Sequence, residues 1–308
     1  MSDVGSAAPA TRTGRGRRRW LTAGLIAVAV YLGVLVLYGS STRLDVATDQ
    51  LDIQPAEDAI VAVELVSVHP LGGTAEAMVR VLPPGKLLDG DLRLREDLEV
   101  QITSSFPTER DDQTRMGFEV AKLEFPRGSS LVSLVDAATL SMEGRYQDYP
   151  YDVFRTTLVA QASGPSGAIP STRLEVLGDV PSWLIRGQEV GVPLVSVADV
   201  ELVRAGSTKT FVILLLVAML VLGVLALLVS FAVITGRRKV EATMASWFAG
   251  MLFALIPLRL NLPGAPPIGV WMDFIVVLWV LLAIMVGLAL FMTAWLRRTP
   301  PPDAPAPR

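Results

Sequence analysis

The sequence predicts a membrane protein with a mainly-β, sandwich-like extracytoplasmic domain and four transmembrane α-helices, one N-terminal anchor and three C-terminal spans. Apolar residues make up 51% of the 308 positions, which is high for an ordinary soluble chain. They collect in four segments, and the long stretch between the first two segments alternates apolar and polar residues at short period. These two observations, together with the basic residues that flank the segments, define the predicted class.

The four predicted spans are residues 20–39, 210–235, 242–258 and 270–296. About 20 apolar residues are needed to cross a hydrocarbon core of about 30 Å. Residues 242–258 are at the short limit, but no other segment can return the chain across the membrane. Residues 20–39 are too long for a signal-peptide core of about 7–15 residues, so we expect an uncleaved anchor.

Basic residues predict the orientation, because they are retained in the cytoplasm. The head, residues 1–19, and the Pro-rich tail, residues 297–308, are expected to be disordered and cytoplasmic, with residues 42–206 extracytoplasmic. The protein is therefore predicted to be a multi-pass protein of the cell membrane. Basic residues before the first span and after the second and fourth carry this prediction: Arg12, Arg15, Arg17, Arg18, Arg19, Arg237, Arg238, Lys239, Arg297 and Arg298.

The extracytoplasmic domain is predicted to consist of short antiparallel strands, because alternating segments are separated by Pro- and Gly-containing breaks. Residues 132–142 fit either a strand or a short helix. The predicted strands are Ala59–Val68, Glu76–Pro83, Arg93–Thr103, Gly117–Phe125, Asp152–Ala162 and Thr172–Gly178.

Charge and composition limit the chemistry. Residues 42–206 contain 26 Asp and Glu against 14 Lys and Arg, a net charge of −12. Such a domain would repel nucleic acid and attract cations or basic partners. The chain has no cysteine and a single histidine, His69, and no catalytic signature is recognisable. We therefore expect a non-enzymatic protein without metal or cofactor sites.

An aromatic turn, Tyr149-Pro150-Tyr151-Asp152, is the first candidate site. Tyrosine rings bury apolar area while their hydroxyl groups require partners, so this segment predicts a corner where two strands meet. It could be a packed turn, a loop that couples the domain to the membrane, or a partner site. It resembles the membrane-facing turn of pentameric channel domains, although the flanking cysteines are missing and three spans follow instead of four.

Arg259 and Asp273 are the second candidate site: Arg259 begins the predicted hairpin loop 259–269, and Asp273 lies in the first turn of the following span. Charges near a membrane are costly unless they are paired or reach the interface. The loop is rich in Pro and Gly, which favour a tight turn. We predict an ion pair between the two side chains that locks the hairpin.

Small residues recur every four positions in the last two spans: Ser246, Gly250 and Ala254, then Ala283 and Gly287. Such spacing allows helices to approach closely. We expect both sets to pack within the chain, with dimerisation as the alternative.

The chain resembles the actinobacterial membrane proteins grouped as domain of unknown function 4436. The resemblance rests on the basic head, the anchor, the acidic β domain with "YPYDVF", the three spans, and "LPGAPPIG" followed two residues later by "MDF". It would cover residues 20–298 and implies location and architecture, not an activity. The expected partners are the lipid bilayer and an envelope protein or further copies of the chain. A binding or scaffold protein is the favoured function, and a subunit of an oligomeric channel or transporter is the alternative.

Overall fold

The computed structural model describes residues 58–110, 113–169, 172–192, 195–241 and 243–298. The predicted head and anchor, residues 1–39, lie outside the described residues, as does nearly all of the predicted tail.

Two β-sheets form the first part of the described chain. The order in the four-stranded sheet is β5-β2-β1-β9, and the order in the seven-stranded sheet is β10-β11-β7-β3-β4, with the short β6 and β8 paired to β7. Both sheets contribute to one hydrophobic core, so they fold as one domain. The strands are β1 (Ala59–His69), β2 (Thr74–Leu82), β3 (Leu98–Arg110), β4 (Gln113–Phe125), β5 (Val135–Ser141), β6 (Glu143–Gly144), β7 (Val153–Gly164), β8 (Gly167–Ala168), β9 (Thr172–Gly178), β10 (Trp183–Val192) and β11 (Val195–Arg204).

The core follows from the alternation in the sequence. In β7, Phe154, Leu158 and Ala160 are fully buried on one face, while Arg155 is exposed on the other. Each buried Phe or Leu side chain contributes about 1.5–3 kcal/mol relative to an exposed one. The mainly-β class of the domain is confirmed, and the ambiguous segment 132–142 contains strand β5.

Two features of the sheets differ from the prediction. β1 pairs with β9 in parallel, whereas the other pairs of main strands are antiparallel. The hairpin of β10 and β11 was not predicted at all. Gly187 and Gly191 interrupt the alternation in β10, and this weakens the strand pattern there. The periodicity of β10 alone therefore does not identify it as a strand.

Three helices follow the β domain, and each is long and apolar enough to cross a membrane. They are α1 (Gly206–Ile234), α2 (Thr243–Leu260) and α3 (Leu278–Arg298), the last preceded by a π-helical turn, Asp273–Val277. Arg259 therefore lies in the last turn of α2, one element earlier than the predicted loop. Ala205 alone separates β11 from α1, so the sheet continues almost directly into the first helix.

Small residues allow close packing of α3 on α1. A Cβ atom added at Gly287 would lie 3.1 Å from Ser230 Oγ and 3.2 Å from both Ala226 O and Phe248 Cε1. In contrast, Ser246, Gly250 and Ala254 of α2 are exposed, and a Cβ atom at Gly250 would meet nothing within 4 Å. The expectation of internal packing is therefore correct for Gly287 and wrong for the stripe on α2, because α2 turns its buried Phe248 and Leu255 toward the other helices instead.

Replacing Gly287 by leucine is expected to destabilise the helix bundle by about 1–3 kcal/mol, because the added side chain would separate α3 from α1. The matched variant Gly250→Leu gains the same helix propensity but meets open space, so its thermal unfolding should change little. The measurement is the fraction of protein that stays monodisperse in detergent after heating. Equal midpoints for the two variants would contradict the packing of α3 on α1.

Candidate functional site

A cross-strand ion pair forms at the end of the seven-stranded sheet that adjoins the helices. The register pairs Val153 of β7 with Val203 of β11, which sets Asp152 opposite Arg204. Both residues continue the inward-facing period of their strands. Arg204 Nε donates to Asp152 Oδ1 at 3.0 Å, and Arg204 Nη2 donates to Asp152 Oδ2 at 3.1 Å. The side chains are 2% and 1% exposed, so the charges are paired within the protein.

Trp183, on the neighbouring strand β10, lies beside this ion pair. It pairs with Arg204 in the register of β10 and β11, and the Arg204 guanidinium carbon lies 3.9 Å from the centre of the indole ring. Trp183 also makes an edge-to-face contact with Phe154 at 5.6 Å between ring centres. A desolvated guanidinium over an indole ring gains about 2 kcal/mol. Arg204 is therefore held by a carboxylate and an aromatic ring.

Tyr149 connects the β domain to the loop between α2 and α3. Its side chain is buried, and its hydroxyl donates to Pro263 O at 2.7 Å. The ring packs in a small apolar cluster with Val212 of α1 and with residues of the loop, among them Leu262 and Val270. The aromatic turn thus contacts both the loop and a helix that could span the membrane.

Arg204 also touches the same loop. A Cβ atom at Gly264 would lie 2.3 Å from Arg204 Nη1, and Gly264 has a φ of +75°. Only glycine allows both this backbone conformation and this approach of the guanidinium. We name this contact region the junction and define it by its residues: Tyr149, Asp152, Trp183, Arg204, Pro263 and Gly264.

A second ion pair closes the loop itself. Arg259 Nε lies 2.5 Å from Asp273 Oδ1 and Nη2 lies 2.8 Å from Oδ2. Arg259 also donates to Pro266 O and Pro267 O, at 3.2 Å and 2.9 Å, while Gly269 N donates to Asp273 Oδ2 at 2.9 Å. The Arg259 guanidinium therefore supplies hydrogen bonds to carbonyl groups of the loop. The loop backbone has few N–H groups to do this itself, because proline has none.

The structure brings the residues of each predicted site together but separates the roles within the aromatic turn. Tyr149 and Asp152 are buried in the junction, whereas Tyr151 is 62% exposed, with Lys209 Nζ 5.7 Å from the centre of its ring. Sequence reasoning missed Arg204 and Trp183. The alternation of β11, which places Leu202 inside, would have predicted an inward Arg204 if that strand had been recognised.

Burial raises the pKa of Tyr149 to about 12, and the positive charge of Arg204 opposes this shift. The unfolded chain releases the proton near pH 10, so stability is complete below pH 10 and falls as the pH rises toward 12. We expect this fall to amount to about 2–3 kcal/mol and to be absent in Tyr149→Phe. At neutral pH that variant loses about 1 kcal/mol with its hydrogen bond. Denaturant titrations at pH 9 and pH 12 measure both effects.

Tyr151→Phe is the matched control, because Tyr151 has the same chemistry in an exposed position. The free energy of unfolding of this variant should fall between pH 9 and pH 12 as much as that of the parent protein. A Tyr149→Phe variant with the same alkaline fall as the parent would show that Tyr149 does not cause it.

An acidic groove lies at the opposite end of the seven-stranded sheet. It forms where β3 begins and where β4 and β7 end, about 36 Å along β7 from the junction at 3.3 Å per residue. The groove is open and is lined by Asp97, Leu98, Glu99, Glu124, Phe125, Pro126, Ser163, Gly164 and Pro165. Glu99 faces Lys122 at 3.9 Å, and Asp97 accepts a hydrogen bond from Arg127 N, so part of this charge is already balanced.

The fold defines a class of structure in which a β domain is joined by a specific contact to three helices, each long and apolar enough to cross a membrane. The chain belongs to the family described as Domain of unknown function (DUF4436), whose model matches residues 49–202, half of the chain. A second model, Domain of unknown function (DUF8686), matches residues 204–298. No curated protein matches the chain.

The family resemblance expected from the sequence is confirmed, but its extent is corrected. The DUF4436 match ends at residue 202, and the helices with their Pro- and Gly-rich loop match the second model. The division falls within β11, between Leu202 and Arg204. Residues of both matched regions therefore form the junction: Tyr149, Asp152 and Trp183 on one side, and Arg204, Pro263 and Gly264 on the other.

Proposed function

We propose that the protein is a non-enzymatic protein of the cell membrane whose extracytoplasmic β domain binds a basic envelope partner. The junction is the observation that carries this proposal. It ties the end of the sheet to the loop between α2 and α3 through a buried ion pair and the Tyr149 hydroxyl. A domain held in this way presents its far end at a constant height and orientation.

The acidic groove is the proposed contact surface. Its carboxylates lie at the end of the domain remote from the helices, where a partner in the envelope could reach them. The net charge of −12 over residues 42–206 would attract a basic partner over several ångströms before contact. Leu98 and Phe125 line the floor of the groove but are 2% and 5% exposed, so the carboxylates form its accessible surface. The proposed partner is therefore a protein with an exposed basic segment.

The test is a crosslinking pull-down from intact membranes with tagged full-length protein. We expect a discrete partner to be recovered with the parent protein and lost with Glu99→Gln, Glu124→Gln. The control is Glu64→Gln, Asp136→Asn, which removes two exposed charges from the four-stranded sheet. Loss of the partner in both variants would assign binding to net charge and contradict the groove. Retention in both would contradict it as well.

The alternative function is a subunit of an oligomeric channel or transporter. The exposed stripe of Ser246, Gly250 and Ala254 favours it, because small residues would let a second copy approach α2 closely. Electrical recording on purified protein in lipid bilayers tests this alternative. The channel would be favoured over the binding protein by two results together. The conductance would disappear in Gly250→Leu, and the crosslinking pull-down would recover only copies of this chain, in a fixed number per complex.

A further inference from the structure

The end of the helix bundle remote from the β domain contains a basic pocket. It lies where α1 ends at Ile234 and α3 ends at Arg298. The pocket is lined by Gly236, Arg237, Arg238, Lys239, Val240 and Arg298. Each charged side chain in this lining is cationic, and we name the site the basic pocket.

Arg298 is held in position by the end of the neighbouring helix. Its Nη1 donates to Val233 O at 2.8 Å, and its Nη2 donates to Ile234 O at 2.7 Å. A Cβ atom at Gly236 would lie 3.2 Å from Arg298 Nη2, and Gly236 has a φ of +80°. The guanidinium thus caps the negative end of α1, and its remaining N–H groups stay available to another acceptor.

The loop after α1 brings two more guanidinium groups to the same place. Arg237 N and Arg238 N both donate to Ala232 O, at 3.0 Å and 3.2 Å, so the loop backbone is wrapped on the helix end. The side chains of Arg237, Arg238 and Lys239 are exposed. Among the ion pairs of the described residues, none includes a side chain of the basic pocket. An anion placed there would relieve the repulsion between these charges.

We propose that the basic pocket binds a phosphate group, supplied by the headgroup of an anionic phospholipid. Two helices that could span a membrane end at the pocket, and lipid phosphates lie at the level where such helices leave the hydrocarbon. Guanidinium groups match phosphate geometry with paired hydrogen bonds. Basic pockets between membrane helices bind anionic headgroups in this manner. This site is independent of the proposed function, because it uses none of the residues of the junction or the acidic groove.

The experiment uses the full chain, purified in detergent and stripped of lipid. Phosphatidylglycerol and phosphatidylcholine with identical acyl chains are titrated, and bound lipids are counted by native mass spectrometry. We expect a preference for phosphatidylglycerol that falls about fivefold for each charge removed in Arg237→Gln and Arg238→Gln, and about 25-fold in the double variant. The control, Arg297→Gln, removes an adjacent charge that does not line the pocket and should bind as the parent protein does.

A parallel titration adds inorganic phosphate at constant ionic strength. No displacement of the lipid supports the headgroup as the occupant, whereas displacement that depends on Arg237 and Arg238 supports the phosphate site and assigns it to soluble phosphate. If Arg297→Gln loses as much of the preference for phosphatidylglycerol as the pocket variants do, the proposal is overturned, because the preference would then depend on general surface charge. Equal binding of the two lipids by the parent protein would overturn it too.

Discussion

Replacement of Arg204 by alanine is expected to lower the free energy of unfolding of the β domain by about 3–5 kcal/mol. The substitution leaves the carboxylate of Asp152 buried, 1% exposed, without its partner. It also removes the cation from the face of Trp183 and opens a gap against Gly264. Trp183 is the single tryptophan between residues 58 and 204 among the six of the chain, so the part of the fluorescence change that comes from Trp183 reports the loss in a denaturant titration.

Arg155→Ala is the matched control for this prediction. Arg155 pairs with Glu201 on the same two strands at 2.7 Å, but its side chain is 68% exposed. An exposed pair contributes about 0–1 kcal/mol, so this variant should be nearly as stable as the parent protein. An Arg204→Ala variant that lost no more than Arg155→Ala would contradict the role of the buried pair.

Joint replacement of both buried partners gives a second readout. Arg204→Met, Asp152→Leu removes the two charges together and leaves no unpaired ion, so its loss of stability should be clearly smaller than that of Arg204→Ala. If the double variant is near the parent protein in stability but no longer holds the domain against the loop, proteolysis between β11 and α1 should become faster. This outcome would separate stability from positioning.

Replacement of Arg259 by alanine is expected to cost about 2–4 kcal/mol and to open the loop between α2 and α3. The side chains of Arg259 and Asp273 are 12% and 14% exposed, and the arginine also binds the carbonyl groups of Pro266 and Pro267. Its removal leaves a largely buried carboxylate and two unpaired carbonyl groups. The measurement is the amount of full-length protein in membranes, together with its thermal unfolding in detergent.

A charge swap, Arg259→Asp with Asp273→Arg, should recover this loss in part and not in full. The swap restores attraction between the two positions, but aspartate at 259 cannot donate to Pro266 O, and arginine at 273 cannot accept from Gly269 N. The control is Arg145→Ala, whose partner Asp148 lies at 3.3 Å on the surface. If the double variant is no more abundant and no more stable than either single variant, the result would count against an ion pair that holds the loop closed.

The parts of the structure that local sequence could predict are those that depend on local periodicity. Alternation in Ala59–Val68 and Asp152–Ala162 predicted the strands found at Ala59–His69 and Val153–Gly164, and long apolar runs predicted the three helices. The parallel pairing of β1 with β9 could not be read in the same way, since its two strands lie far apart along the chain. The hairpin of β10 and β11 is local, but Gly187 and Gly191 interrupt the alternation of β10. The open face of α2 is a similar case, because spacing alone does not say which face of a helix meets its neighbour.

The junction illustrates the same limit at the level of single residues. The tyrosines near Pro150 and the charges at Arg259 and Asp273 stood out by type and position. Arg204 did not, since a lone arginine before an apolar segment has no distinctive pattern. Its role depends on the register that sets it opposite Asp152, and on a glycine in a loop about 60 residues further along the chain.

The parallel pairing of β1 with β9 has a consequence for how the protein is made. β1 lies inside the four-stranded sheet, and its neighbour β9 follows more than a hundred residues later. At a synthesis rate of about 5–20 residues per second, β1 waits for several seconds with one edge unpaired. β11, which contributes Arg204 to the junction, is followed by α1 after a single residue. The seven-stranded sheet therefore cannot be completed until synthesis has reached α1, so the domain finishes folding only as the first of the three apolar helices is being made.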